Sequence, residues 1–173
     1  MFLLMIAFVA GVMLLRPEAK TYALEAGWNI TAPSSVTLSA VNWSLSEQQT
    51  TLTFDTAIQV SNDSSTSQGF TARVKSTELI HQTDPTLFMG YTKLEIKTGS
   101  VSTSQPDGIS APIQDTYTAF SGSLSTSDPI NFMTADARSR NAGSWSITPA
   151  IRLTIPSKQR AGAYQATLTF EVV

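Results

Sequence analysis

Apolar residues recurring at every second position constrain this chain more than any other feature. Near the C-terminus, Ile151, Leu153 and Ile155 fall on one side while Arg152 and Thr154 fall on the other. After Pro156 and the polar stretch 157–162, Tyr164, Ala166, Leu168, Phe170 and Val172 alternate with Gln165, Thr167, Thr169 and Glu171. A strand points successive side chains to opposite faces, so the pattern predicts two half-buried strands. Pro156 cannot donate to a ladder and ends the first of them. Residues 157–162 supply the reversal, and segment 143–173 reads as a β-hairpin that closes the fold.

The same period runs upstream. Residues 36–41 read as a first strand, and residues 50–60 as a second, with Leu52, Phe54, Ile58 and Val60 on one face. Phe70, Ala72 and Val74 alternate with Thr71, Arg73 and Lys75, and Leu94 and Ile96 with Lys93, Glu95 and Lys97. Residues 116–120 and 129–133 add short strands, whereas 61–69, 99–112 and 136–141 have the composition of loops. The expected fold is all-β: a single antiparallel β-sandwich of the Ig-like, Greek-key type over residues 27–173. Charged residues make up only 14% of the 173, and Ser and Thr supply most of the polarity, which suits exposed sheet faces and turns.

Residues 1–15 (MFLLMIAFVAGVMLL) carry no charge, and Arg16 and Pro17 follow. As a helix they would span roughly 22 Å, less than a bilayer's hydrocarbon core. The expectation is an N-terminal apolar helix within residues 1–26, acting as a signal peptide or as a membrane or packing helix. Ala23 and Ala26 offer small residues for signal cleavage. The usual basic residues ahead of the apolar run are missing, since Arg16 and Lys20 come after it. A start upstream of Met1, a pilin-type helix already clipped, and a short uncleaved anchor each account for that.

Several chemistries find no support. Net charge is −2 and the basic residues are scattered, so no stripe exists to neutralise phosphates and no nucleic-acid partner is expected. With no cysteine, disulfides, thiolate metal sites and a cysteine nucleophile are excluded. His81 is the only histidine and reads as a loop residue ahead of Asp84 and Pro85. It has no second histidine for a metal site, and no G-x-S-x-G elbow presents a serine to it. Asp63, Asp128 and Asp136 lack the spacing of a calcium loop. Neither an enzyme activity nor a cofactor is expected.

The run L-T-I-P at 153–156, a short polar loop, A-G-A-Y at 161–164 and the alternating T-L-T-F at 167–170 resemble the C-terminal end of the WxL domain. That family comprises surface proteins of low-GC Gram-positive bacteria. Residues 57–79 (AIQVSNDSSTSQGFTARVKSTEL) look like its strand, polar loop, Gly-aromatic and returning strand, and G-S-W at 143–145 has the corresponding place. The likeness covers most of residues 36–173 in order. Where the family carries its two Trp-x-Leu segments, this chain has Phe70-Thr71-Ala72 and Phe170-Glu171-Val172.

The resemblance implies a secreted, extracellular domain that attaches to peptidoglycan or to another cell-surface protein. On it, Phe70 and Phe170 hold the motif positions, and Trp145 offers an aromatic face to a sugar. All three are candidate ligand-binding residues, set against plain core packing. The alternative is a structural subunit of an extracellular filament, self-assembling through its N-terminal helix or by strand exchange. Membrane contact is expected only through residues 1–15, if these are retained.

Overall fold

The computed structural model describes residues 11–21, 28–62, 69–103, 109–110, 115–123, 126–135 and 143–173. In chain order the strands are β1 (Gly11–Thr21), β2 (Trp28–Thr31), β3 (Val36–Val41), β4 (Gln48–Thr53), β5 (Ile58–Asn62), β6 (Phe70–Ser76), β7 (Leu79–His81) and β8 (Phe88–Met89). Then come β9 (Leu94–Lys97), β10 (Val101–Thr103), β11 (Ile109–Ser110), β12 (Thr118–Ala119), β13 (Ile130–Ala135), β14 (Gly143–Ile147), β15 (Ala150–Ile155) and β16 (Tyr164–Val172). An eight-stranded sheet runs β11-β13-β6-β16-β1-β3, with β7 beside β16 and β8 beside β7. Two four-stranded sheets run β10-β14-β5-β2 and β12-β9-β15-β4. The protein is all-β, and among the described residues its sheets are antiparallel but for one pairing.

Alternation in sequence becomes alternation in burial. In β6, Phe70, Ala72, Val74 and Ser76 are buried while Thr71, Arg73 and Lys75 are half-exposed. Tyr164, Ala166, Leu168 and Phe170 do the same in β16. These side chains meet Ile58, Val60, Trp145 and Ile147 of one small sheet and Leu94, Ile96, Ile151 and Leu153 of the other in a single hydrophobic cluster. Each large side chain fully buried there contributes about 1.5–3 kcal/mol.

Four expectations need correction. β15 and β16 do not pair with each other: β15 pairs β4 and β9, whereas β16 pairs β6, β7 and β1. The segment is an arch between sheets and not a hairpin. Period two looks the same in both cases, but a hairpin keeps its strands in one ladder and an arch sets their apolar faces against each other. Tyr164 secures the arch: its hydroxyl donates to the Arg160 carbonyl at 2.9 Å and accepts from Gln159 Nε2 at 2.7 Å. A tyrosine bonding back to the chain just upstream is a known corner device of β-sandwiches.

Residues 50–60 are likewise two strands in different sheets, β4 and β5, broken by a bend after Thr53. His81 is the last residue of β7 and is buried. The expected N-terminal helix is not seen: residues 11–21 form strand β1, and residues 1–10 lie outside the described residues. Among the described residues no helix is long and apolar enough to cross a membrane.

Candidate functional site

β1 occupies a slot in the large sheet between β16 and β3. It runs parallel to β16 over nine register pairs, from Met13 opposite Tyr164 to Thr21 opposite Val172. Against β3 it is antiparallel, with Met13, Leu14 and Leu15 opposite Leu38, Thr37 and Val36, and a bulge separates these from Gly11 opposite Val41. β1–β16 is the one parallel pair among the described strands. The slot is walled by β3 (Val36–Val41) and by β16, the longest of the strands that pair with β1.

The sequence fits the slot by the same parity that shapes the rest of the fold. Leu15, Pro17, Ala19 and Thr21 stand opposite the core-facing Ala166, Leu168, Phe170 and Val172. Arg16, Glu18 and Lys20 stand opposite Thr167, Thr169 and Glu171. Leu15 is fully buried. Pro17 lies beyond the last β3 partner, in the part of β1 that pairs on one side only, where a missing donor is tolerated. The alternation L-R-P-E-A-K-T was present in the sequence but obscured by the uniformly apolar run before it.

The three aromatic candidates are core residues. Trp145 is 1% exposed, Phe70 4% and Phe170 0%. Phe70 packs against Trp28 at 4.6 Å and Trp145 at 5.1 Å between ring centroids, joining the large sheet to a small one. Phe170 meets Phe132 edge-on at 5.8 Å, away from that group. No face of Trp145 is open to a sugar, so the ligand-binding role expected of these rings is not available to them in this structure. Trp28 is the third member of the group and stacks on Trp145 at 5.8 Å.

Apolar side chains that do reach solvent lie elsewhere. Ile80 and Phe88 face each other across β7 and β8 and are 42% and 56% exposed. Ile80 borders a shallow groove of about 720 Å³ with Thr77, His81, Gln165 and Thr167. Trp43 and Leu45 are 40% and 66% exposed, and Trp43 lines a small cavity of about 50 Å³ between Val41, Ile155 and Tyr164.

Polar groups are mostly engaged with one another. His81 Nδ1 accepts from the backbone N–H groups of Thr83 (3.3 Å) and Asp84 (3.2 Å), so Nε2 carries the proton toward the Ala161 carbonyl at 3.4 Å. Arg152 grips Glu95 with two hydrogen bonds, of 2.6 and 2.8 Å, and lies over the Tyr117 ring at 4.4 Å. The hydrogen bond from Arg152 to Glu95 holds the guanidinium's proton more firmly than usual. Glu171, buried, pairs with Arg73 and, at 3.0 Å, with Lys75. Among the described residues no group of three acidic or histidine side chains is placed to hold a metal ion.

No known family model matches the chain, and no curated protein does. Among solved structures it aligns with the CooA pilin subunit from enterotoxigenic Escherichia coli, at 12% identity over 94% of this chain and 98% of that one. The TM-score is 0.18, too low for the likeness to carry an argument about fold or role.

Proposed function

We propose that this is a non-enzymatic, extracellular cell-surface protein, an Ig-like β-sandwich that works by joining other surface components. The observation that carries this reading is the slot. Its large sheet is completed by a strand at the N-terminal end of the described chain, set between β3 and β16. A sheet completed by a separable strand offers main-chain hydrogen bonds to another protein, which is the basis of strand-addition assembly. The role is that of a structural subunit, in a filament or a surface layer.

Attachment to peptidoglycan, as the WxL resemblance implies, is the second reading. What favours it is the exposure of Trp43 beside a small cavity and of Phe88 beside Ile80, apolar surface suited to a sugar or a protein partner. The contact would fall on these residues and not on Phe70, Trp145 or Phe170.

Immunogold electron microscopy of producing cells, with fractionation of medium and wall, tests both readings. Assembly predicts label on fibres or a continuous layer, and wall attachment predicts label in the wall fraction that insoluble peptidoglycan depletes from solution. Protein found only as a soluble monomer, in the medium or inside the cell, refutes the function proposed.

A further inference from the structure

We infer that the slot between β3 and β16 accepts residues 11–21 of a second copy of this chain, so that neighbouring molecules are joined by exchanged first strands. This rests on the assembly reading above and names its partner.

Three features support it. β1 is tied to the next strand only through residues 22–27, and seven residue steps reach at most roughly 25 Å. That is long enough to hand the strand to an adjoining molecule. Without β1, β3 and β16 would each present an unpaired edge beside their own buried side chains, Leu38 on one and Ala166, Leu168 and Phe170 on the other, which is a template for any matching strand. The segment that matches is already defined by the register, and an identical copy restores every pair, so exchange costs only what the connector loses.

The chain has no cysteine, so introduced thiols report without interference. Glu18 and Thr169 are register partners, and Thr169 lies on the face of β16 turned away from the core. Partners in adjacent strands lie within the Cα separation a disulfide needs. The single variants Glu18→Cys and Thr169→Cys, unfolded, mixed, refolded together and oxidised, can form an 18–169 bridge only between two chains. Exchange predicts that bridge by mass spectrometry, with a shift from monomer to dimer on a non-reducing gel. The double variant Glu18→Cys/Thr169→Cys serves as the folding control. A bridge confined to that control, running as a monomer, overturns the inference, and so does the absence of the bridge from both samples. Fibres or a surface layer seen without an interchain bridge would leave the assembly reading standing and remove only the exchange.

Discussion

Gly162→Ala is the most informative single substitution in the arch between β15 and β16. Gly162 has φ +150°, a conformation that residues with a Cβ rarely adopt. A Cβ there would lie 1.8 Å from His81 Nε2 and 2.6 Å from its Cδ2, far inside contact distance. The imidazole would have to leave, and with it the acceptor for the Thr83 and Asp84 N–H groups and the edge-on contact with Tyr164 at 5.0 Å between ring centroids. Unfavourable backbone costs about 1–3 kcal/mol. Thr83 is exposed and Asp84 half-exposed, so their N–H groups can rehydrate and each lost hydrogen bond costs about 0.5–1.5 kcal/mol. The expected destabilisation is therefore about 2–6 kcal/mol, a large share of the ~5–15 kcal/mol that holds a domain folded. Urea denaturation of the wild type, Gly162→Ala, His81→Ala and the double variant gives the coupling. Once His81 is Ala, adding Gly162→Ala should cost only the backbone term of about 1–3 kcal/mol. An equal cost in both backgrounds, or under about 1 kcal/mol in the wild type, refutes the clash.

Three further outcomes follow from the same contacts. Trp145→Phe removes a buried Nε1–H that has no hydrogen-bond partner among the described residues, so its stability should change by under about 1.5 kcal/mol, with wall association unaltered in a peptidoglycan pull-down. Loss of association with stability intact would restore Trp145 as a ligand residue. Glu171→Gln withdraws the charge shared by Arg73 and Lys75; both cations are about one-third exposed and can rehydrate, so denaturation should register a loss of about 1–3 kcal/mol. Asp84 is held below its ordinary pKa of 3.8, first by the Thr86 hydroxyl at 2.6 Å and further by the Thr86 N–H, Arg160 and His81. A depressed carboxylate stabilises the fold above its unfolded pKa and loses that contribution as pH falls through the folded value, so the window lies below 3.8. An NMR titration should place the Asp84 midpoint there, and Thr86→Val should raise it; no movement would contradict the assignment.

What the sequence revealed depended on whether a local pattern was enough. The alternation around Phe70, Leu94, Ile151 and Leu168 located β6, β9, β15 and β16, because burial on one face imposes period two wherever the strand pairs. Partner choice left no such trace. The same alternation serves a hairpin and an arch, and the polar stretch after Pro156 did not say which sheet the chain entered next. Continuous parity from Leu52 to Val60 hid the bend between β4 and β5, where Phe54 remains buried although the strand has ended. β1 was missed because residues 1–15 lack any polar position to define a face. Its only evidence of a strand was the short alternation from Leu15 to Thr21. Phe70 and Phe170 lie on the inward faces that alternation gave their strands, whereas Trp145 carried no such assignment and is buried as well. Whether an inward ring is sealed depends on what packs above it, and for Phe70 and Trp145 the missing information was Trp28, remote in sequence.

The central claim is that residues 11–21 fill the slot between β3 and β16. Amide hydrogen exchange on the intact chain, read residue by residue, tests it most directly. Amides of residues 13–15, held between β16 and β3, should be protected together with those of β16, and beyond Leu15 the alternate amides directed at β16 should be protected too, Pro17 having none. Exchange of residues 11–21 at the rate of an unfolded chain, while β16 and β6 stay protected, would contradict it.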